Sequence, residues 1–188
     1  QAVEAVPEAK RLTVDTPKLG GPISLLGGRI DDLSLKGYRE TQDPGSSTVR
    51  LLSPVGQDLS YYSVFGWLPG TGMETADVPG AMTEWKAVDE DYMFTVTDKV
   101  VNGSAAAVTL QPYGIIARHG LPKLQNIFVV HEGAVQRADG ELTETDYADL
   151  TELEVNPNEG LPAEVTEATS DGWIGFTDHY WMTTLIPE

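Results

Sequence analysis

Apolar and polar residues alternate on both sides of the glycine pair Gly27–Gly28. Alternation is typical of a strand with one buried face, and a glycine pair between two alternating runs is typical of a hairpin. The apolar positions of the two runs are Ile23, Leu25, Ile30, Leu33 and Leu35. The step from Ile30 to Leu33 breaks the period of two, and we interpret it as a bulge at Asp31–Asp32. The stretch 20–41 is therefore predicted to be the hairpin around which an all-β fold is organised.

A second and longer alternation predicts another large hairpin. Its first strand covers 92–101, its turn is Asn102-Gly103-Ser104, and its second strand covers 107–117. The apolar face of this hairpin carries Tyr92, Phe94, Val96, Val100, Val108, Leu110 and Ile116. Long paired strands need a second layer of strands to bury such a face, which favours an antiparallel β-sandwich.

The remaining pattern predicts short strands joined by turns and very little helix. Strands are expected at 12–14, 48–52, 61–67, 128–130 and 142–147, and as two strands within 173–187 that bend at Asp178–His179. The segment 163–169 is predicted to form at most one helical turn. There is no fixed-period repeat and no internal boundary, so we expect one β-sandwich domain over 10–188, preceded by a flexible linker at 1–9.

Composition narrows the classes of function. The chain has 12 Lys and Arg against 29 Asp and Glu, a formal charge of −17, which would repel nucleic acids and anionic lipids. The absence of cysteine excludes disulfides, thiolate metal sites and cysteine nucleophiles. There is no apolar run of membrane-spanning length, so no direct membrane insertion by this segment is expected.

Three histidines are the candidate acids or bases near neutral pH: His119, His131 and His179. A histidine paired with a carboxylate such as Glu132 or Glu84 could exchange protons on a sugar ring. A structural histidine at a strand end is the favoured interpretation. The spacing of the histidines matches no metal motif, and the acidic runs Asp31-Asp32 and Asp89-Glu90-Asp91 are interpreted as solvated turns.

The tryptophans offer a second candidate surface, because exposed aromatic rings can line a carbohydrate-binding groove. Trp67, Trp173 and Trp181 alternate with small or aliphatic residues, which favours core packing. The residues themselves therefore predict no catalytic, cofactor-binding or metal-binding side chains. The candidates for a groove or an interaction surface are Trp67, Trp85, His119, His131 and Trp173.

Eight segments in this order resemble the large periplasmic domain of YidC-type membrane protein insertases, in the form found in alphaproteobacteria. The segments are LTVDTP at 12–17, GGRIDDLSLKGY at 27–38, LLSP at 51–54, FGW at 65–67, DYMFTVTD at 91–98, RHG at 118–120, HEG at 131–133 and GWIGFTDHYW at 172–181. The resemblance covers about residues 10–187.

The resemblance implies a β-supersandwich similar to galactose mutarotase, placed on the periplasmic face of the bacterial inner membrane. It implies a docking or accessory domain without catalytic residues or cofactors, in a protein that inserts and folds newly made membrane proteins, alone or with the Sec translocon. The implied partners are the SecD–SecF complex and, through the full-length protein, nascent membrane proteins. A sugar enzyme of the mutarotase or aldose-epimerase kind and a carbohydrate-binding module remain as alternatives.

The family pattern is incomplete in two places. In the family pattern, further strands lie between the positions of Trp85 and Val88. Either the protein has a true deletion there, or residues that it does have are missing from the sequence as given. The second explanation is favoured, because the loss of paired strands would leave an open sheet edge beside 92–101. The closing strands and helical segment of the family pattern after Glu188 are also absent.

Overall fold

The computed structural model describes residues 10–79, 83, 88–90, 92–97, 99–103, 105–122 and 131–187, and for 88–90 it describes only the backbone. The predicted linker at 1–9, the predicted strand at 128–130 and Trp85 lie outside these residues. The chain divides into two compact units, Gln1–Gly120 and Leu121–Glu188. Each unit is described below by itself.

The described part of the first unit is built from strands, with a single 3₁₀ turn at Thr75–Asp77. The strands are β1 (Arg11–Asp15), β2 (Leu19–Ser24), β3 (Arg29–Ile30), β4 (Ser34–Arg39), β5 (Thr48–Arg50), β6 (Tyr61–Pro69), β7 (Val88–Glu90), β8 (Met93–Thr95) and β9 (Leu110–Arg118). Seven of them form one antiparallel sheet in the order β5-β4-β2-β3-β6-β9, with β1 added beside β2.

The predicted hairpin at 20–41 is confirmed. Strand β2 pairs with both β3 and β4, and the turn residues Gly27 and Gly28 have φ values of 73° and 56°, which glycine adopts without steric cost. The break in alternation is wider than the predicted bulge, because three residues, 31–33, separate β3 from β4. Asp32 there has a φ of 56°, a conformation that Asp tolerates better than most residues.

The core of the first unit comes mainly from this hairpin and its neighbours. Leu19, Ile23, Leu33 and Leu35 are each no more than 2% exposed. Val14, Ile30, Leu52 and Tyr61 are also buried. Of the five alternating positions identified from sequence, four are therefore buried and only Leu25 is half-buried. Their removal from water is the main favourable term in stabilising this sheet.

The predicted hairpin of 92–101 with 107–117 is wrong. Strand β8 pairs with β7, whereas β9 pairs with β6 over nine residue pairs, from Tyr61 with Arg118 to Pro69 with Leu110. Alternation identifies a strand with two different faces but does not specify which strand it pairs with. Val96 and Val100, predicted to be buried, lie outside strands and are exposed.

The described part of the second unit is a four-stranded antiparallel sheet in the order β11-β10-β14-β15, with a separate small ribbon, β12–β13. Its elements are β10 (Gly133–Ala138), β11 (Glu141–Asp146), α1 (Tyr147–Leu150), β12 (Val155–Asn156), β13 (Leu161–Pro162), β14 (Trp173–Thr177) and β15 (Met182–Leu185). The two strands predicted within 173–187 are confirmed as β14 and β15. Residues 163–169, expected to form at most one helical turn, form none, and the short helix follows β11 instead.

The turn between β10 and β11 also fixes a distant segment. Asp139 and Gly140 have φ values of 51° and 92°, as a two-residue hairpin turn requires. The Oδ1 atom of Asp139 accepts hydrogen bonds from the backbone N–H and the hydroxyl of both Thr169 and Ser170. The hydroxyl bond from Thr169, followed by the backbone bonds from Ser170 and Thr169, lowers the pKa of the Asp139 carboxyl below its ordinary value. One carboxylate therefore fastens the segment before β14 to the hairpin.

This carboxylate predicts a pH dependence of stability. Because the folded-state pKa of Asp139 is lowered, its stabilisation is present above the ordinary Asp pKa and is lost as pH falls through the lowered value. Asp139→Asn should reduce the free energy of unfolding at neutral pH and flatten its decrease in acid. Urea unfolding between neutral and acidic pH measures this. The control is Asp171→Asn, at an exposed Asp with a similar φ of 50°. An equal flattening in the control would contradict the assignment.

Antiparallel sheets and very little helix in the described residues confirm the all-β prediction. None of the helices described is long and apolar enough to cross a membrane.

Candidate functional site

His119 lies just after β9 and is held by a tyrosine rather than a carboxylate. Its backbone N–H donates to the carbonyl of Ser60, at 2.8 Å. Its ring stacks on Tyr62, with centroids 5.8 Å apart, and its Nε2 atom lies 3.3 Å from the Tyr62 hydroxyl. The next residue, Gly120, has a φ of 77°, so the extended backbone does not continue beyond His119. This is the strand-end position that the sequence analysis favoured.

The guanidinium group of Arg29 also contacts Tyr62. Its Cζ atom is 5.6 Å from the centre of the Tyr62 ring, a cation–π distance. Arg29, Tyr62 and His119 are contributed by β3, by β6 and by the residue after β9. The pairing of β3 with β6 and of β6 with β9 brings them together.

His131 precedes β10 and is tied to β14. Its Nδ1 atom lies 2.7 Å from the hydroxyl of Thr177, and the same hydroxyl is 3.1 Å from the His131 carbonyl oxygen. Its Nε2 atom faces the Asp146 carboxylate at 3.7 Å, too far for a hydrogen bond. Its side chain is only 15% exposed. The nearby carboxylate is therefore Asp146 and not the predicted Glu132, and the described contacts of His131 serve to join strands.

The tryptophan candidates do not form an exposed aromatic platform in the described residues. Trp67 on β6 and Trp173 on β14 are both half-buried, and they belong to different units. A carbohydrate-binding surface would need Trp67, Trp85 and Trp173 exposed together. Neither the carbohydrate-binding alternative nor the sugar-enzyme alternative is supported by these positions.

The prediction that Asp31 and Asp32 form a solvated acidic turn is wrong, because both carboxylates bind arginines. Asp31 is 2% exposed, and its Oδ1 atom accepts from Arg11 Nη2 at 2.6 Å and from the Ser24 backbone N–H at 3.1 Å. Asp32 accepts from Arg50 Nη2 at 2.8 Å, in a more exposed ion pair. Both carboxylates hold strands together.

A third ion pair, between Lys36 and Asp15, lies at the surface of the first unit. The hydrogen bond and then the charge of Lys36 lower the pKa of the Asp15 carboxyl. No group of three metal-ligating side chains occurs among the residues for which positions are given. Asp15, Asp31 and Asp32 thus each form an ion pair within the first unit.

The histidine geometry gives a testable expectation. His131→Ala should lower the free energy of unfolding by about 1 kcal/mol through the lost Thr177 contact, and exposed His119→Ala by less. Neither substitution should change the rate of sugar-ring interconversion. Urea unfolding and polarimetry on galactose check both expectations. Measurable mutarotation by the unmodified chain that disappears in His119→Ala would contradict the structural interpretation.

The fold and these sites together define an antiparallel β domain in which the described contacts of His119 and His131 are with neighbouring strands. Comparison with known proteins supplies the family. The family model described as YidC periplasmic domain matches this chain at residues 11–91 and again at 87–188. The chain belongs to the YidC periplasmic domain family.

Curated relatives agree with the family model. The chain is 50% identical to a "Membrane protein insertase YidC" from Ruegeria pomeroyi over 96% of its length, and 52% identical to one from Cereibacter sphaeroides strain KD131 over 97%. It is 47% identical to one from Roseobacter denitrificans over 98%. These alignments cover 35%, 34% and 35% of the respective relatives, so the chain spans about a third of their length. A domain of this family belongs to a membrane-associated protein.

The alignments also bear on the incomplete family pattern. The aligned stretch with the Ruegeria protein is 215 positions long, although this chain has 188 residues, so that relative carries residues that this sequence lacks. The two family matches overlap at 87–91. The interruption noted from sequence between Trp85 and Val88 coincides with the start of this overlap.

Proposed function

We propose that this chain is a non-catalytic docking domain of a membrane protein insertase, located on the periplasmic face of the bacterial inner membrane. The observation that carries the proposal is the match to the YidC periplasmic domain over nearly the whole chain. The relatives' printed name supplies the activity of the whole protein, membrane protein insertion. In this proposal the work of insertion belongs to parts of the full-length protein outside this chain.

The proposal extends to partners and to the extent of the domain. The partners are the SecD–SecF complex and, through the full-length protein, nascent membrane proteins. Residues 10–188 act as one β-sandwich domain, and Trp67, Trp85, His119, His131 and Trp173 remain predicted contributors to a groove or interaction surface. The structural contacts of His119 and His131 support the absence of catalysis, because neither ring is hydrogen-bonded to a carboxylate in the described residues.

The experiment compares the full-length insertase with a variant from which this domain has been removed. Removal should abolish co-purification with SecD–SecF, because the docking surface is lost. Insertion of a test membrane protein into proteoliposomes should be retained. Loss of insertion with unchanged SecD–SecF binding would overturn the proposal. A variant in which the domain is replaced by an unrelated β-sandwich controls for a simple spacer effect.

A further inference from the structure

Arg29 is half-buried, and no acidic partner of its guanidinium group is found among the described residues. In the described residues Arg11 pairs with Asp31 and Arg50 with Asp32. Arg39 is exposed, so water can solvate its charge. No carboxylate within ion-pair distance of Arg29 is found in the described part of the chain, although the chain carries a formal charge of −17.

One nitrogen of this guanidinium group is also unsatisfied. The Nε atom of Arg29 is buried and has no hydrogen-bond partner. A guanidinium group that is partly removed from water and not paired with an anion carries a desolvation cost. The contact with the Tyr62 ring offsets part of that cost and restrains the plane of the group. The guanidinium charge of Arg29 is therefore held beside Tyr62 without an anion among the described residues to neutralise it.

Tyr62 and His119 leave at least one more donor next to this charge. A tyrosine hydroxyl has one hydrogen, and a neutral imidazole has one N–H. Their mutual contact, between the hydroxyl and Nε2 at 3.3 Å, can use only one of these two hydrogens. Whichever group donates in that contact, the other keeps a hydrogen that can bind an external acceptor. Neither residue has a carboxylate partner in the described structure.

We propose that Arg29, Tyr62 and His119 form a binding site for an oxyanion, either a carboxylate or a phosphate group. Guanidinium presents several N–H donors in a plane that matches both groups, and a neighbouring hydroxyl or imidazole N–H adds a further donor. Arg29 remains partly exposed and can be reached from solvent. The site shares His119 with the predicted interaction surface, but oxyanion binding does not require the proposed docking role, because the three side chains supply the donors themselves.

Titration of the ¹⁵N-labelled chain tests the site. The Nε–H resonance of Arg29, together with the ring resonances of Tyr62 and His119, is followed with sodium phosphate, sodium acetate and sodium chloride at matched ionic strength. Phosphate or acetate should shift these resonances saturably, and chloride should not. A shift with phosphate alone assigns a phosphate ligand, and a shift with acetate assigns a carboxylate. Shifts equal to those in chloride would overturn the proposal.

Variants separate binding from a purely structural role. Arg29→Lys should lose the saturable shift of Tyr62 and His119, because a lysine keeps the charge but not the planar donor group. Tyr62→Phe keeps the ring beneath the guanidinium and should weaken binding severalfold by removing the hydroxyl. Arg39→Lys, at an exposed arginine of β4, is the matched control and should bind like the unmodified chain. Unchanged binding in a folded Arg29→Lys variant would refute the site, and Tyr62→Phe provides the decisive measurement if Arg29→Lys does not fold.

Discussion

Asp31→Asn is expected to lower the free energy of unfolding by about 2–3 kcal/mol, one of the largest effects of any polar substitution in the first unit. The carboxylate of Asp31 is 2% exposed and accepts from both Arg11 and the Ser24 backbone N–H. Breaking a fully buried ion pair costs about 3–5 kcal/mol, and the expected value is lower because the Arg11 side chain is 33% exposed and can be partly solvated. Urea unfolding of the two proteins gives the difference.

Asp32→Asn is the matched control for this prediction. Asp32 also pairs with an arginine, but its side chain is 22% exposed and that of Arg50 is 46% exposed. Asparagine tolerates the positive φ of this position, so the control should lose less than about 1 kcal/mol. Equal losses at the two positions would show that burial of Asp31 does not set the strength of its interaction.

Gly133→Ala should destabilise the second unit by about 3 kcal/mol, near the upper end of what overpacking typically costs. A Cβ atom at this position would stand 2.1 Å from the Thr145 carbonyl oxygen and 2.9 Å from the Cα atom of Asp146. Both are backbone atoms of β11, so the added methyl group cannot be accommodated by a rotamer change. Strand β10 also pairs with β14 at this residue, which limits how far it can move.

The control for Gly133→Ala is Gly37→Ala in β4. A Cβ atom there meets no atom within 4 Å, and the backbone of Gly37 is not in the left-handed region. Alanine should be neutral or stabilising by up to about 1 kcal/mol, because it restricts the unfolded chain. Thermal unfolding followed by circular dichroism distinguishes the two variants. Similar stability for both would mean that β10 and β11 separate without cost.

Local alternation predicted the hairpin at 20–41 because its two strands are neighbours in sequence and share one buried face. The same reasoning failed at 92–117, where the second strand pairs with β6 rather than with the strand before it. Pairing between distant strands depends on the packing of the whole sheet, which a local period of two does not contain. The burial of Asp31 was missed for a related reason, since Arg11 lies 20 residues away along the chain.

The sequence identified individual residues of the candidate sites but not the contacts that those residues make. His119 and His131 were placed correctly at strand ends, but their partners Tyr62 and Thr177 were not identified, because they lie 57 and 46 residues away. Arg29 appeared only as part of the motif that carries the family resemblance. Nothing in its sequence neighbourhood indicates that its charge lacks a partner, which depends on what the folded sheet brings beside it.

Strands β6 and β9 pair over nine residues, which fixes the two ends of the segment that connects them. Residues 70–109 connect these two paired strands, so the length of the connection can change without altering the register of the pair. Doubling a flexible closed segment costs only about 0.6 kcal/mol of closure entropy. The two family matches overlap at 87–91, within this same excursion. Diversity in length among relatives can therefore accumulate there while the rest of the domain keeps its architecture.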